Sequence, residues 1–230
     1  MPREKMLDDS ERYLQLAFNG DISQARAIIP NLRSTLSNRS QVFIEAGTPF
    51  IKRYGAAGIR EISRMWSGVV VADLKIVDGA RREIALAVSS GARALTALGN
   101  SPKETLDLFI KICKSQRLIS MIDMLGVAEP LKVLRKMKSP PDIVVLHMGR
   151  DEENTKGKTI PYKQVNKIRS KFSCLISAAG GIDLKEARSA IFNGADIVVA
   201  NIVSSSDPWT GIKSTGDVAS VAQDFLDTVR

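Results

Sequence analysis

With 230 residues, the chain has room for one larger domain or two small ones, and a hydrophobic share of 44% with only 5% aromatics predicts a mostly aliphatic core. No apolar stretch approaches the roughly 18 residues of a membrane span, and the polar residues 1–12, expected as an extension or a helix, lack a signal-peptide core; a soluble, cytoplasmic protein with no membrane partner is expected. The formal charge of +8 suits an anionic ligand or a lysine-rich surface, whereas the basic residues lack the interleaved aromatics on which bases stack, which argues against a nucleic-acid partner.

Short apolar or β-branched runs recur along the chain and predict eight strands. The first covers residues 13–19 and ends Phe18-Asn19-Gly20-Asp21, unlike the glycine-rich phosphate loop that opens a doubly wound sheet. The second and third cover 41–47 and 68–75. The fourth, 92–99, follows Gly91, which reads as a helix C-cap. Residues 102–115 carry helical periodicity and contain Cys113. Strands at 118–125 and 142–148 follow, then the longest irregular stretch, 149–161. The seventh strand, 172–180, contains Cys174. A helix over 184–193 ends at the second C-cap glycine, Gly194, ahead of the eighth strand, 195–203. The two cysteines have no metal-ligand spacing and are expected as buried thiols. Strands alternating with helices imply parallel pairing. Eight such units in one chain predict a single-domain (β/α)8 TIM barrel spanning residues 1–230.

In such barrels the chemistry sits where the strands end. Those ends supply Asn19, Glu45, Asp73 with Lys75, Asp123, His147, Gly180-Gly181 and Asn201. In the run Asp73-Leu74-Lys75-Ile76-Val77-Asp78, positions i and i+2 share a strand face, so Asp73 and Lys75 are expected to point into the barrel together. A charged pair there either neutralises itself or serves a site. The only histidine, His147, is either a core histidine or a proton carrier, and its place at the end of an apolar strand favours the second. Gly180-Gly181 is either a turn or a source of backbone N–H groups for a phosphate. Two carboxylates from adjacent strands, Glu45 and Asp73, suit Mg2+, which takes one or two protein carboxylates and keeps other positions for water and substrate. Beside it, Lys75 stabilises a developing oxyanion.

At these residues the chain resembles the orotidine-phosphate decarboxylase suprafamily, whose mark is Asp-x-Lys-x-x-Asp on strand three, here Asp73, Lys75 and Asp78. The likeness runs over nearly the whole chain. Phe43-Ile44-Glu45-Ala46-Gly47-Thr48 resembles the magnesium-dependent branch, which contains 3-hexulose-6-phosphate synthase and 3-keto-L-gulonate-6-phosphate decarboxylase. Asp123 and the Ala179 before Gly180-Gly181 resemble the synthase, and residues 71–78 with the stretch around Asp123 resemble its archaeal type. The run from His147 to Glu153 is mixed, with Arg150 matching a decarboxylase arginine. Two positions depart from the family pattern. Asn19 stands where the first strand usually ends in aspartate, and Ala200-Asn201 stand in place of the Gly-Arg whose guanidinium grips phosphate.

The resemblance implies a homodimer that adds formaldehyde to ribulose 5-phosphate, or reverses that aldol reaction, through an enediolate. In it Glu45 and Asp73 hold Mg2+, Lys75 stabilises the enediolate and His147 moves the proton at carbon one. Asp78 orients Lys75 and acts across the dimer interface, completing the neighbouring subunit's site. Asn19, Asp123, Arg150 and Asn201 contact the substrate, and Gly180 and Gly181 give N–H groups to its phosphate. Two alternatives stand beside this one: decarboxylation of a 3-keto sugar-acid phosphate through the same enediolate, and a non-catalytic sugar-phosphate-binding relative with a degraded phosphate site.

Overall fold

The computed structural model describes residues 7–230. Eight parallel strands close on themselves, β1 (Tyr13–Phe18), β2 (Val42–Ala46), β3 (Val70–Ile76), β4 (Ala94–Leu98), β5 (Ile119–Asp123), β6 (Ile143–His147), β7 (Leu175–Ala179) and β8 (Ile197–Val203). The closing pair is β8 on β1, with Val199 opposite Gln15 and Asn201 opposite Ala17. Each predicted strand is present, shorter by a residue or more at most ends. Of the expected N-terminal segment, residues 1–6 lie outside the described residues, and 7–12 run as bend and turn into β1.

Helices α1 (Ile22–Thr35), α2 (Thr48–Met65), α3 (Ala80–Ser89), α4 (Lys103–Gln116), α5 (Pro130–Lys136), α6 (Val165–Arg169), α7 (Leu184–Phe192) and α8 (Val218–Val229) follow the strands in turn. Their apolar stripes pack on the outward residues of the strands, such as Leu14, Leu16, Ile44, Leu95, Val144 and Val198, all buried. This ring is the larger of two cores, and each fully buried aliphatic side chain in it contributes about 1.5–3 kcal/mol. Gly91 and Gly194 have positive φ, and the N–H groups of the alanines that follow them reach back to Ala87 and Ala190, so both end helices as their sequence suggests.

The second core fills the barrel. Its floor is Leu7, Tyr13, Phe43, Ile143, Leu175 and Ile197, with the Tyr13 and Phe43 rings stacked at 4.9 Å. Higher up, the small Ala17 and Ala179 and the polar Gln15, Glu45, Thr96 and Ser177 stand among Met121, Val145 and Val199. The large side chains of the floor close the barrel below, and the cavity opens at the C-terminal mouth. Two long connections border that mouth. One is the expected irregular stretch after β6. The other, residues 204–217 after β8, has no counterpart among the expectations, and it contributes a short strand, β9 (Ile212–Lys213), paired to the end of β8.

Candidate active site

Asp73 and Lys75 both reach the mouth, yet not by simple alternation along β3. Ala72 pairs with Leu95 and Ile76 with Ala97, so four steps on β3 match two on β4. This bulge places Lys75 at φ 49°, a left-handed conformation that costs a non-glycine residue about 1–2 kcal/mol. The Lys75 N–H leaves the strand ladder and donates to Thr96 Oγ1 at 2.9 Å. The bent backbone aims the ammonium group between two carboxylates, 2.5 Å from Asp123 Oδ2 and 3.2 Å from Asp73 Oδ2. Asp73 is held in turn by hydroxyls: Thr96 Oγ1 donates to Oδ1 at 2.8 Å and Thr48 Oγ1 to Oδ2 at 2.7 Å. Burial alone would make the amine easier to deprotonate. The flanking carboxylates outweigh it and hold Lys75 above the ordinary lysine range.

Asp123 ends β5 and joins Lys75 to His147. Its carboxylate oxygens lie 2.9 and 3.0 Å from His147 Nδ1, and Oδ1 also accepts the Leu125 N–H at 3.0 Å. Burial pushes this carboxyl up, but the imidazole and the ammonium group overcome that and keep it well below the usual carboxylate range. The imidazole responds in the opposite sense. Burial disfavours its charge, Asp123 more than restores it, and the His147 pKa is raised above 6.5.

Glu45 ends β2 on the other side of Asp73. Gln15 Nε2 donates to its Oε2 at 2.5 Å. Burial and the neighbouring Asp73 charge push Glu45 up to about 7. Lys75 and His147 thus face three carboxylates, and the carboxylate left without a basic partner is Glu45, whose hydrogen bond comes from a neutral amide. Beside it, Gln15 Oε1 is a buried acceptor with no partner. A carboxylate without a basic partner and hard oxygen atoms fit a magnesium ion. Among the described residues no group of three or more His, Cys, Asp and Glu side chains forms a metal cage. A magnesium ion held by Glu45 and Asp73 would therefore take water or substrate oxygens for the rest of its shell.

The remaining side of the mouth is nearly neutral. Asn19 Nδ2 donates to Asn201 Oδ1 at 3.1 Å. Gly180 has φ 104°, and a Cβ there would meet the Met148 carbonyl at 2.0 Å, so only glycine fits. Together these residues line a cavity of about 310 Å³ that holds Asn19, Glu45, Asp73, Lys75, Asp123, His147, Arg150, Gly180 and Asn201. Gly181 stands just outside it with Glu153 against its Cα, and Asp78 lies exposed in the turn before α3, away from the cavity.

Residues 21–213 match the orotidine 5'-phosphate decarboxylase / HUMPS family. The chain belongs to that family. It is 32% identical over 220 residues to the bifunctional enzyme Fae/Hps of Methanothrix thermoacetophila, a match covering 95% of this chain and 53% of the relative. With the enzyme of the same name from Methanocaldococcus jannaschii it shares 34% over 202 residues, 87% of this chain and 50% of that one. The chain thus spans about half the length of these curated relatives. In fold it is similar to the 3-hexulose-6-phosphate synthase from Salmonella typhimurium, with a TM-score of 0.79, 24% identity and coverage of 94% and 98% of the two chains.

Four further residues complete the site of this family member. Gln15 and Thr96 follow from period-two alternation back from Asn19 and on from Ala94, a pattern present in the sequence but unread beside the strand ends. Thr48 lies one residue past Gly47 on the first turn of α2, where strand-end reading stops short. Trp209, in the loop after β8, stacks under the Arg150 guanidinium at 4.3 Å, and no local signal marks it.

Proposed function

We propose that this chain catalyses a magnesium-dependent aldol reaction, adding formaldehyde to ribulose 5-phosphate to give 3-hexulose 6-phosphate, or reversing it. The observation that carries the reading is the unbroken line Glu45, Asp73, Lys75, Asp123, His147. Identity above 30% to the bifunctional Fae/Hps enzymes supports it. Magnesium held by Glu45 and Asp73 would supply Lewis-acid stabilisation of negative charge on substrate oxygens.

The protein's own groups divide the remaining work. Lys75 keeps its proton between two carboxylates, so it serves as a fixed positive charge for the enediolate and not as the base. Asp123 holds His147 Nδ1 and leaves Nε2 to take the proton from carbon one. The electron pair left at that carbon forms the new bond to the formaldehyde carbon, and the former carbonyl oxygen gains a proton. Asp123 itself is engaged by Lys75, His147 and the Leu125 N–H, so we assign it to orientation of those groups. The proposal includes a homodimer, in which the exposed Asp78 and the adjacent Val77, 47% exposed, would meet a second copy; sedimentation velocity tests that assembly.

The deciding experiment follows formaldehyde with ribulose 5-phosphate, with magnesium and with a chelator. Metal-dependent loss of formaldehyde is expected. No loss from folded protein that binds magnesium overturns the aldol reading, and release of carbon dioxide from a 3-keto sugar-acid phosphate would put the decarboxylase in its place.

A further inference from the structure

Besides His147, three basic side chains line the mouth, and their surroundings differ. Lys75 is engaged by Asp73 and Asp123. Lys52 stands exposed on the first turns of α2. Arg150 is half-buried, and among the described residues its guanidinium forms neither an ion pair nor a hydrogen bond. Five N–H donors partly removed from water without an acceptor are unfavourable unless a ligand supplies one.

Arg150 starts the loop after β6, yet its guanidinium lies over Trp209 in the loop after β8. There it borders both the catalytic cavity and an adjoining hollow of about 660 Å³. The other arginine of that hollow, Arg53, is paired with Asp21. The strand ends beneath are the neutral Asn19 and Asn201, bonded to each other. Arg150 is therefore the one arginine of the two hollows that no carboxylate neutralises, and it lies on the β8–β1 side, whereas the other unpaired cation of the cavity, Lys52, stands exposed on α2. The stack fixes the plane of the guanidinium and leaves its N–H edge open. A second tie joins the same loops, since Glu153 Oε2 accepts the Thr210 N–H at 3.1 Å. That side chain also packs beside Gly181.

We propose that Arg150, positioned by Trp209, binds the phosphate group of the substrate on the β8–β1 side, while the reacting carbons lie at Lys75 and His147. The planar fork offers two parallel donors to two phosphate oxygens. The identity of the sugar rests on the proposed function; the anion site does not.

Two measurements separate these dependences. The first titrates inorganic phosphate into the protein, followed by calorimetry and by tryptophan fluorescence, in which a change reports on Trp209 because the other tryptophan, Trp66, caps the far end of α2 and lines neither hollow. A saturable response is expected in the wild type, lost in Arg150→Met and weakened in Trp209→Leu. The second is steady-state kinetics with ribulose 5-phosphate. Arg150→Met should raise KM roughly 10–100-fold with kcat nearly unchanged, and Arg150→Lys should recover part of it, charge being restored without the fork. Absence of any phosphate response in the wild type, an unchanged response in Arg150→Met, or a fall in kcat at constant KM would overturn the assignment. If the wild type fails to turn over ribulose 5-phosphate, the aldol reading fails alone, and the phosphate titration still decides for or against Arg150.

Discussion

The two halves of the barrel mouth are built on opposite plans. On the side of β2, β3, β5 and β6, Glu45, Asp73, Lys75, Asp123 and His147 sit on strand ends, and Lys75, Asp123 and His147 hold one another in fixed positions. On the side of β7, β8 and β1 the strand residues that face the mouth are the neutral Ala179, Asn201 and Asn19, and the positive charge there comes from a loop, on Arg150. Reacting groups must be held to within a fraction of an ångström, and strands do that better than loops. Recognition of a distal group tolerates a looser frame. The contrast indicates that chemistry and recognition are separable in this chain, so that one can change while the other stays.

The largest effect should come from cutting the charged half at its centre. Lys75→Ala removes the one cation shared by Asp73 and Asp123, and turnover should fall by about a thousandfold or more. Unlike a surface lysine, this one also neutralises buried acids. Its loss should lower stability by about 3 kcal/mol while the barrel still forms, as breaking a buried pair does; chemical denaturation and circular dichroism check both. A smaller loss, about a hundredfold in turnover, is expected for Glu45→Gln, with magnesium no longer raising the melting temperature. In metal-free buffer the same variant should melt no lower than the wild type, because it relieves the repulsion between Glu45 and Asp73. Equal protection of both proteins by magnesium would move the metal away from Glu45.

The neutral half invites the reverse experiment. Asn201→Arg puts a guanidinium on the mouth-facing side of β8 and breaks the amide contact with Asn19. With Arg150 still present, KM for the phosphorylated ketose should fall by about three- to tenfold at unchanged kcat. A rise would mean that the Asn19–Asn201 pair shapes the pocket more than charge does.

How far the sequence reveals this site follows from the same contrast. Strand runs such as Ile143-Val144-Val145-Leu146 are continuous because both faces are buried, and they locate the strand ends within a residue or two. The ends then name the charged residues. Their partnerships are less visible. Asp123 and His147 meet across adjacent strands, β5 and β6, whose register aligns Asp123 with Val145, and no spacing in the chain encodes that pairing. The approach of Lys75 to Asp123 depends on a bulge, which a period-two reading cannot contain. Loop contacts are further still from local rules. Arg150 and Trp209 are brought together by two connections of irregular backbone, and neither residue type nor spacing foretells it.

The smallest effect tests whether the imidazole carries charge at rest. Asp123 raises the His147 pKa in the folded protein above its ordinary 6.5. A group whose pKa is raised on folding adds stability that is complete below the unfolded value and disappears as pH climbs through the folded one. Asp123 keeps its Lys75 partner over that whole range, because the amine is itself held protonated. His147→Gln leaves a neutral donor near Asp123 and removes only the titrating part. The variant should therefore be less stable than the wild type by about 1 kcal/mol at pH 5.5, and the gap should close as pH rises beyond 6.5 and past the raised value, read from urea midpoints. Turnover in the wild type should climb through the same window, since only the neutral imidazole accepts the proton. A gap that stays constant with pH would mean that Asp123 and a neutral His147 share an ordinary hydrogen bond, and the rise in turnover would then have to begin at lower pH.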